Sequence, residues 1–489
     1  MHPTNESAPP ASRFRYEQLA DLIAGLVSRG TLRPGSRAPS LREVSRQQRT
    51  SLTTALQAYR RLEDRGILEA RPQSGFYVVD APVTMPVPAM TRPPARPTHV
   101  AVSGLMLELL EHAADERFVP LGCAIPSPQL LASGRLDRFL ARVARVEGKR
   151  HNTYTAPRGD ESLRVEIARR AMRWGQALSP QDIAITCGCT EALALSLNVV
   201  ARPGDTIAIE SPTYFGLLQV LRALGLKALE LPTDARTGVD IDALGRALKA
   251  GAVRACVLAS SYHNPLGCTM PEDRKVAALR LLAKHRVPLI EDDVYGDIHF
   301  GDERPRPFCS LDHHQNTIYC GSFSKTLAPG YRVGWVATAP HMQRILEYKS
   351  ASTLCGPVLP QRALAAFLSS GGYEHHLRRI RRAFSETLRS MVKEIERAFP
   401  EGTKVSQPDG GFVLWLELPR RLDSGVLFAQ ALQKGVCFAP GVVFSASGRH
   451  AHCLRLSCGY GWDPRIERGI RTLGALVRAE LSRAGRSEP

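Results

Sequence analysis

The sequence predicts a multidomain protein, in which a small winged helix-turn-helix (α+β) domain precedes a large α/β domain with a mostly parallel sheet. The chain has 489 residues, which is too long for one hydrophobic core. Residues 81–100 hold six prolines and no acidic residue, and this composition predicts an extended, semi-rigid linker. After this stretch, apolar strands alternate with helical segments, a pattern typical of parallel sheets covered by helices.

The first domain is predicted over residues 13–80, and the linker over residues 81–103. Apolar residues recur at helical spacing in a first helix, at Tyr16, Leu19, Ile23 and Leu26. The sequence SLRE at 40–43 predicts a capping box that starts a second helix, and Thr50 or Ser51 is expected to cap a third. The tetrads ILEA and FYVV, joined by RPQSG, then predict a β-hairpin with glycine in its turn. Three helices followed by a hairpin are the elements of a winged helix-turn-helix.

The large domain is predicted over residues 104–489, with its chemistry at the strand ends. Strands are predicted at 183–186, 206–209, 228–231, 255–258 and 288–290. Ligands of parallel sheets bind beyond the carboxyl ends of the strands. The residues that follow these strands include Cys189, Thr190, Tyr214, Asn264, Asp292 and Tyr295. Singly, each fits a turn or core packing, but two adjacent carboxylates at 292–293 are costly after an apolar strand unless they are paired.

A lysine with small and apolar neighbours is the most informative residue of this domain. Lys325 lies in GSFSKTLAPGYRVGW, residues 321–335, between two segments that are predicted to be strands. Such an amine is either an accident of packing or a reactive group, and a lysine amine can form an imine with an aldehyde. Nearby, Ser322, Ser324 and Arg332, together with a helix N-terminus, suit a phosphate group. The remaining strand-end residues suit a flat heteroaromatic ring: a carboxylate for a protonated ring nitrogen, Asn and Tyr for a phenolic oxygen, and an aromatic side chain for stacking.

The motifs of this domain resemble those of the pyridoxal-phosphate enzymes of aminotransferase fold type I. They occur in the family's order: YTAPRGDESLR, GCTEAL, ESPTY, NPLG, EDDVYGD, SFSKTLAPGYRVGW and LRLS. The resemblance covers about residues 104–489. It implies an α/β fold of that type, a smaller C-terminal α+β subdomain after about residue 383, and pyridoxal 5'-phosphate as the cofactor.

The resemblance also implies a role for each matching residue. Lys325 corresponds to the lysine that forms the Schiff base, and Asp292 to the carboxylate that faces the pyridine nitrogen. The ring hydroxyl is assigned to Asn264 and Tyr295, and the face of the ring to Tyr214. The phosphate is assigned to Cys189, Thr190, Ser322, Ser324 and Arg332. Cys189 stands where many relatives have serine, so its phosphate contact is expected from the backbone. Tyr154 corresponds to a tyrosine that reaches the neighbouring subunit's phosphate, and Arg455 to the arginine that binds an amino acid's α-carboxylate.

Residues 13–80 resemble the winged-helix domain of the GntR family of bacterial transcription regulators. The matching text is LRPGSRAPSLREVSRQQRTSLTTALQAYRRLEDRGILEARPQSGFYV. The resemblance implies that the third helix enters the major groove of DNA and that the wing touches the backbone. The candidate DNA contacts are Arg42, Arg49, Ser51, Thr53, Thr54 and Gly75. Arg49 occupies a turn position where glycine is usual in that family, so the turn is either strained or gains a DNA contact.

The complete arrangement resembles the MocR subfamily of these regulators. That resemblance implies a bacterial, cytoplasmic, head-to-tail homodimer that binds operator DNA and senses pyridoxal phosphate or an amino compound, and that lies with the nucleoid when it is bound to DNA. The formal net charge of +17 agrees with a polyanionic partner. We find no apolar run long enough for a membrane span and no zinc-ligand spacing among the 11 cysteines, so we expect neither a membrane partner nor a metal.

Two alternatives to the regulator remain open on the sequence alone. An active aminotransferase that carries a DNA-binding domain would need the same cavity residues, all of which are present. A body that serves dimerisation only would leave Lys325, Asp292 and Arg332 without a purpose. The DNA-binding domain favours the regulator, because an enzyme does not need one.

Overall fold

The structure is a computed structural model that describes residues 14–71, 73–79, 85–101, 104–113, 115–148 and 152–486. The chain divides into a smaller compact unit that ends near residue 82 and a larger unit that begins there. Some positions assigned to the first domain and the linker from sequence lie outside the described residues, namely 13, 72, 80–84 and 102–103. In the described part of the chain, no helix is long and apolar enough to cross a membrane.

The smaller unit has the elements of a winged helix-turn-helix, as predicted. They are helices α1 (Arg15–Ser28), α2 (Leu41–Gln47) and α3 (Leu52–Asp64) and the antiparallel strands β1 (Leu68–Arg71) and β2 (Gly75–Val78). The Ser40 hydroxyl caps α2 by accepting from the backbone N–H of Glu43, and Ser51, rather than Thr50, caps α3. The core of this unit includes Leu19, Ile23, Ala55, Ala58, Tyr59 and Leu62.

The larger unit is built on a mostly parallel sheet, which confirms the predicted fold class. Its strands are β3 (Thr98–His99), β5 (Ile183–Thr186), β6 (Thr206–Ser211), β7 (Lys227–Asp234), β8 (Gly238–Val239), β9 (Val253–Leu258), β10 (Leu289–Asp292), β11 (Thr317–Ser322) and β12 (Gly334–Ala337). In the described residues the order is β3-β7-β6-β9-β10-β11-β12-β5, and β8 pairs with β7. Strands β7, β6, β9, β10 and β11 are parallel, whereas β3 and β12 run antiparallel to their neighbours.

Helices cover both faces of this sheet, so its strands are apolar on both sides. The helices are α5 (Ser133–Glu147), α6 (Glu161–Ala171), α7 (Cys189–Val200), α8 (Phe215–Ala223), α9 (Ile241–Lys249), α10 (Glu272–His285), α11 (Met342–Ser352) and α12 (Val358–Ser369). In β6, Ile207 and Ile209 join a core that contains residues of α7 and α8, while Ala208 between them joins a second core with residues of α9 and α10. Because β7, β6, β9, β10 and β11 are parallel, their carboxyl ends lie at the same edge of the sheet.

A second, smaller sheet forms the rest of the larger unit. In the described residues its order is β13 (Lys404–Val405), β14 (Val413–Glu417), β16 (Cys453–Ser457), β15 (Val436–Pro440) and β4 (Val119–Leu121). Helices α4 (Gly104–Ala113), α13 (Gly372–Ala398), α14 (Ser424–Gln433) and α15 (Pro464–Arg486) complete the element order. The expected start of the subdomain near residue 383 was wrong in two respects. Strand β4 comes from much earlier in the chain and pairs in parallel with β15, and α13 continues through residue 383 without a break.

The described linker residues, 85–101, are extended but are also attached to the larger unit. Strand β3 at their C-terminal end pairs with β7 at the edge of the large sheet. The Pro86 carbonyl accepts from the backbone N–H of Val405 (2.8 Å), and the N–H of Thr91 donates to the Thr233 carbonyl (3.3 Å). The described linker is therefore held along a surface of the larger unit rather than free of it.

Candidate functional site

A cavity of about 280 Å³ lies at the carboxyl edge of the large sheet. All but one of the residues singled out from the sequence of the large domain line this cavity. Those that line it are Cys189, Thr190, Tyr214, Asn264, Asp292, Tyr295, Ser322, Ser324, Lys325, Arg332 and Arg455. The exception is Tyr154, whose side chain is 85% exposed and lies outside this cavity. The large and small sheets together thus bring into one cavity groups that are up to 266 positions apart in the chain.

The amine of Lys325 lies inside the cavity, close to Tyr295. Its Nζ donates a hydrogen bond to the Ala124 carbonyl (2.7 Å) and lies 5.9 Å from the centroid of the Tyr295 ring. Burial, and secondarily the positive charge of Arg455, lower the pKa of Lys325 to about 8. A much larger fraction of this amine is therefore neutral near pH 7.5 than in an exposed lysine, and a neutral amine is the form that attacks an aldehyde.

Of the two adjacent carboxylates at the end of β10, Asp292 lines the cavity and Asp293 does not. Burial raises the pKa of Asp292 to about 6, so this carboxyl is mostly ionised at neutral pH. The Cys189 thiol donates to its Oδ1 (3.6 Å). Asp293 is bound elsewhere: its Oδ2 accepts from Nη2 of Arg304 (2.5 Å) and from the Tyr319 hydroxyl (3.0 Å). The structure therefore separates the cavity carboxylate from its neighbour, which a sequence of two adjacent aspartates could not do.

One end of the cavity combines several groups that bind anions. Helix α7 begins at Cys189, so its free backbone N–H groups face this end. The hydroxyls of Ser322 and Ser324 lie 2.8 Å apart, and Arg332 donates from Nη2 to the Cys187 carbonyl (3.0 Å). A Cβ on Gly188 would lie 2.5 Å from that Nη2, so glycine is required for the guanidinium to approach. Helix N–H groups, two hydroxyls and a guanidinium together suit a phosphate.

Arg455 lies on β16 of the small sheet and reaches into the same cavity, fully buried. Its Nη1 donates to Oδ1 of Asn264 (3.0 Å), and its Nη2 donates to the Gly122 carbonyl. Its Nε has no hydrogen-bond partner among the described residues. Burial lowers the pKa of Arg455. Because a buried guanidinium bonded to neutral oxygens is costly, this position favours the binding of an anion from outside the chain.

Two buried cavity residues, Glu210 and His263, were not predicted from the sequence. Oε2 of Glu210 lies 3.3 Å from Nε2 of His263. Burial raises the pKa of Glu210 to about 8 and lowers the pKa of His263 to about 3, so both side chains are mostly uncharged at neutral pH. A signal for Glu210 was present in the sequence, because it is a carboxylate at the C-terminal end of an apolar strand, as Asp292 is. For His263 the only signal was its place beside Asn264.

The candidate DNA-contact residues lie in the first turn of α2 (Arg42), just before and at the start of α3 (Arg49, Ser51, Thr53 and Thr54) and at the start of β2 (Gly75). Arg42, Arg49, Ser51, Thr53 and Gly75 are exposed and Thr54 is half-buried. Arg49 has a φ of +48° and Gly75 a φ of +102°, both in the left-handed region. The hydroxyls of Ser51 and Thr54 lie 2.8 Å apart at the cap of α3. Of the two alternatives for Arg49, a strained turn and a DNA contact, the strain is present in the backbone, because a non-glycine residue disfavours this region.

Comparisons with known proteins identify the family. Residues 130–473 match the family described as "Aminotransferase class I and II", and residues 15–78 match "Bacterial regulatory proteins, gntR family". The HTH-type transcriptional regulator YdcR of Escherichia coli K12 is 38% identical over 96% of this chain and 100% of its own length. A second regulator of that strain, YjiR, is 36% identical over 95% of this chain and 98% of its own. The chain belongs to the MocR-type regulators of the GntR family.

The larger unit of this MocR-type regulator is also similar to solved aminotransferases. The crystal structure of LysN, an alpha-aminoadipate aminotransferase of Thermus thermophilus, matches with a TM-score of 0.73 and 30% identity, over 78% of this chain and 96% of that one. LysN was solved in complex with N-(5'-phosphopyridoxyl)-L-leucine. The MocR-type chain thus combines a GntR winged helix with a complete aminotransferase fold.

Proposed function

We propose that this protein is a transcription regulator whose larger unit binds pyridoxal 5'-phosphate and senses that cofactor, an amino compound, or both. The observation that carries the proposal is one cavity that holds Lys325, Asp292 and an anion site, in a chain that also has a GntR winged helix. We assign the DNA-binding domain to residues 13–80, the linker to 81–103 and the cofactor-binding domain to 104–489.

The cavity residues fit pyridoxal phosphate at each of its functional groups. When it is bound, the cofactor supplies an aldehyde that condenses with amines and a ring that withdraws electrons. Asp292 would hold the ring nitrogen, and Tyr214 would stack on the ring. The buried Tyr295 hydroxyl has no partner among the described residues, which leaves it available to the phenolic oxygen. The phosphate would be held by the N-terminus of α7 together with Ser322, Ser324 and Arg332. Lys325 would supply the amine that condenses with the aldehyde.

An amino compound with a carboxylate fits the remaining groups of the cavity. Arg455 offers a buried positive charge without an anionic hydrogen-bond partner in the described residues. The amine of such a compound would replace that of Lys325, whose pKa of about 8 leaves both protonation states accessible at neutral pH. Lys325 can therefore take up or release a proton while the ligand amine is exchanged. An amino acid is thus the ligand class that this charge arrangement favours.

Transamination is the second candidate function, and a specific observation favours it. Each residue of the large domain that the aminotransferase resemblance requires, apart from the exposed Tyr154, lines the cavity. The two functions are distinguished by their products. A working aminotransferase converts a panel of amino acids to 2-oxo acids over many turnovers, whereas a sensor binds them without sustained turnover.

The partners of the regulator are double-stranded operator DNA and a second copy of the chain. The exposed residues at the start of α3 and in the hairpin turn are placed to reach bases and phosphates in the way that winged helix-turn-helix proteins do. Tyr154 is 85% exposed and does not line the cavity of its own chain. This placement supports a head-to-tail homodimer in which Tyr154 completes the cavity of the other subunit.

The test is selection of binding sites from random duplex DNA by the full-length protein, with and without pyridoxal phosphate. We expect a specific operator, with an affinity that changes when pyridoxal phosphate or an amino acid is added. The Lys325→Ala variant is the control, since it keeps the DNA-binding residues and loses the reactive amine. If no DNA sequence is enriched at low salt, the regulator proposal fails and the aminotransferase remains.

A further inference from the structure

The linker between the two units forms an ordered strap on the larger unit. We use "strap" for residues 85–101. Polar contacts hold it at both ends. Gln407 donates from Nε2 to the Met85 carbonyl (2.9 Å), and the backbone N–H of Ala101 donates to the Ala446 carbonyl (3.1 Å). Strand β3, near its C-terminal end, extends the large sheet. A segment with this many backbone bonds moves with the surface that holds it.

Thr91 attaches the strap to the C-terminal ends of β6 and β7. Its hydroxyl donates to the Ser211 carbonyl (2.6 Å) and accepts from the backbone N–H of Thr233 (3.1 Å). Its own N–H donates to the Thr233 carbonyl (3.3 Å). A single threonine thus connects the strap to the last residue of β6 and to β7.

Ser211 lies between residues that line the cavity. Glu210 precedes it, and Thr213 and Tyr214 follow it after one proline. The backbone N–H of Thr213 donates to the Phe444 carbonyl (2.8 Å), and the Phe444 ring lies 5.1 Å from the guanidinium carbon of Arg455. The segment that follows the Ser211 carbonyl thus reaches, within three residues, the tyrosine that we assign to ring stacking. Through Thr213 it is also bonded to Phe444, whose ring contacts the arginine that we assign to the carboxylate.

The buried carboxylate of Glu230 connects the C-terminal end of β6 to the segment that holds the other end of the strap. The Ser211 hydroxyl donates to Oε1 of Glu230 (3.0 Å), which also accepts from Ser445 (2.9 Å). Oε2 of Glu230 accepts from Ser447 (2.9 Å). Ala446, between these two serines, is the residue whose carbonyl holds Ala101. The strap is thus attached at two points to one hydrogen-bonded cluster next to the cavity.

We propose that the strap, through the hydrogen bonds of Thr91, transmits occupancy of the cavity to the DNA-binding domain. The inference rests on the proposed function and adds the route of regulation to it. A ligand that moves Tyr214 or Arg455 shifts the Ser211 carbonyl and the segment around Ala446. The strap follows because its bonds are to these groups, and five residues of sequence, 80–84, connect it to the last described residue of the smaller unit. A free linker of the same composition would not report such a shift.

The test compares Thr91→Val with Thr98→Val in the full-length protein. Each variant removes one hydroxyl from the strap with little change in shape, but the Thr98 hydroxyl makes only a long bond to the Ala228 carbonyl at the sheet edge (3.4 Å). The measurement is operator affinity with pyridoxal phosphate, alone and with each proteinogenic L-amino acid. We expect wild type and Thr98→Val to change by the same factor, within the roughly five- to 150-fold range typical of allosteric coupling. We expect the operator affinity of Thr91→Val to change by less than about twofold, well below that range. This variant should still bind pyridoxal phosphate.

Each outcome decides between two separate ideas. A wild-type operator affinity that ignores all of these compounds overturns the proposed function and the strap with it. A Thr91→Val protein that responds as wild type does overturns the strap alone. Hydrogen exchange on wild-type protein gives a second measurement that does not depend on how the variant folds. We expect pyridoxal phosphate to change the exchange of the Thr91 and Thr233 amides, and unchanged exchange at both overturns the strap.

Discussion

The Cys189 thiol donates a hydrogen bond to Oδ1 of Asp292 across 3.6 Å. Its backbone begins α7 at the anion-binding end of the cavity, so one residue is among the groups that we assign to the phosphate and also contacts the carboxylate that we assign to the ring nitrogen. A thiol is a weaker donor than a hydroxyl, and it stabilises the ionised carboxylate only modestly.

The pKa of Asp292 should respond to the donor at position 189. A donor to the ionised form lowers the pKa of a carboxyl, so Cys189→Ala should raise it above about 6 and Cys189→Ser should lower it. The measurement is the affinity for pyridoxal phosphate from pH 5 to 8, in which the acid midpoint reports this carboxyl. Cys187→Ala is the matched control, because that thiol has no bond to Asp292. Equal midpoints in all four proteins would show that the Cys189 contact has no effect.

Attachment of pyridoxal phosphate to Lys325 should speed up as pH rises. The pKa of this amine is lowered to about 8, so the neutral form increases from pH 6.5 to 9 with a midpoint near 8 and then levels off. An exposed lysine would still be gaining neutral amine at pH 10. The measurement is the rate of borohydride-trapped adduct, located by peptide mass spectrometry. Lys325→Ala should carry no such adduct, whereas Lys434→Ala, at the C-terminus of α14, should keep it. A trapped adduct in Lys325→Ala would refute the assignment.

Hybrid dimers should reveal whether Tyr154 serves the other subunit. We expect Tyr154→Phe and Lys325→Ala homodimers to be impaired in retaining pyridoxal phosphate. A hybrid of the two should contain one intact cavity, because the unmodified Lys325 and the unmodified Tyr154 then meet in the same site. The measurement is cofactor bound per dimer after purification with two different tags. A hybrid no better than the two homodimers would place Tyr154 outside the partner's site.

Replacing Arg49 by glycine should stabilise the DNA-binding domain. Arg49 has a φ of +48°, and left-handed backbone costs a non-glycine residue about 1–2 kcal/mol. Some of this gain is offset because glycine loses more entropy on folding, so we expect about 1 kcal/mol. Hydrogen exchange of the α2 and α3 amides in the full-length protein measures it. Arg46→Gly, in the regular conformation of α2, should have the opposite effect. A loss of protection in Arg49→Gly would mean that the side chain contributes more than the backbone strain costs.

Arg42→Ala should weaken operator binding and its salt dependence together. If the exposed guanidinium contacts a phosphate, the slope of log affinity against log salt should fall by about one. Arg236→Ala, an exposed arginine of the larger unit, is the control and should leave the slope unchanged. A weaker affinity with an unchanged slope would instead indicate a contact to a base.

The functional residues at the strand ends could be predicted from the sequence because the signal for each lies in the few residues around it. Asp292 and Lys325 stand out since charged groups next to apolar strands need a reason, and parallel strands bring their ends together regardless of the distance along the chain. Glu210 carries the same signal and could have been found. The residue pattern alone does not distinguish Asp292 from Asp293, because the difference depends on Arg304, which binds Asp293. The choice of Asp292 rests on the family resemblance.

The attachment of the linker and the origin of β4 could not be predicted in this way. The bonds of Thr91 go to backbone groups of Ser211 and Thr233, and backbone groups leave no mark in the sequence. Strand β4 has the sequence VPL, which is too short to show a period of two. Its place in the small sheet follows from pairing with β15, more than 300 residues later.

The hydrogen bond to Met85 also limits how far the DNA-binding domain can travel. Met85 and Val79 are six residues apart in sequence, and at ~3.6 Å per residue the fully extended chain between them spans at most ~22 Å. Each residue inserted at 80–84 would lengthen this tether by at most ~3.6 Å, close to the ~3.4 Å rise of one base pair. In a dimer, the two tethers would act as a ruler for the operator. The number of residues between the wing and the first attachment would then set the range of half-site spacings that the protein accepts.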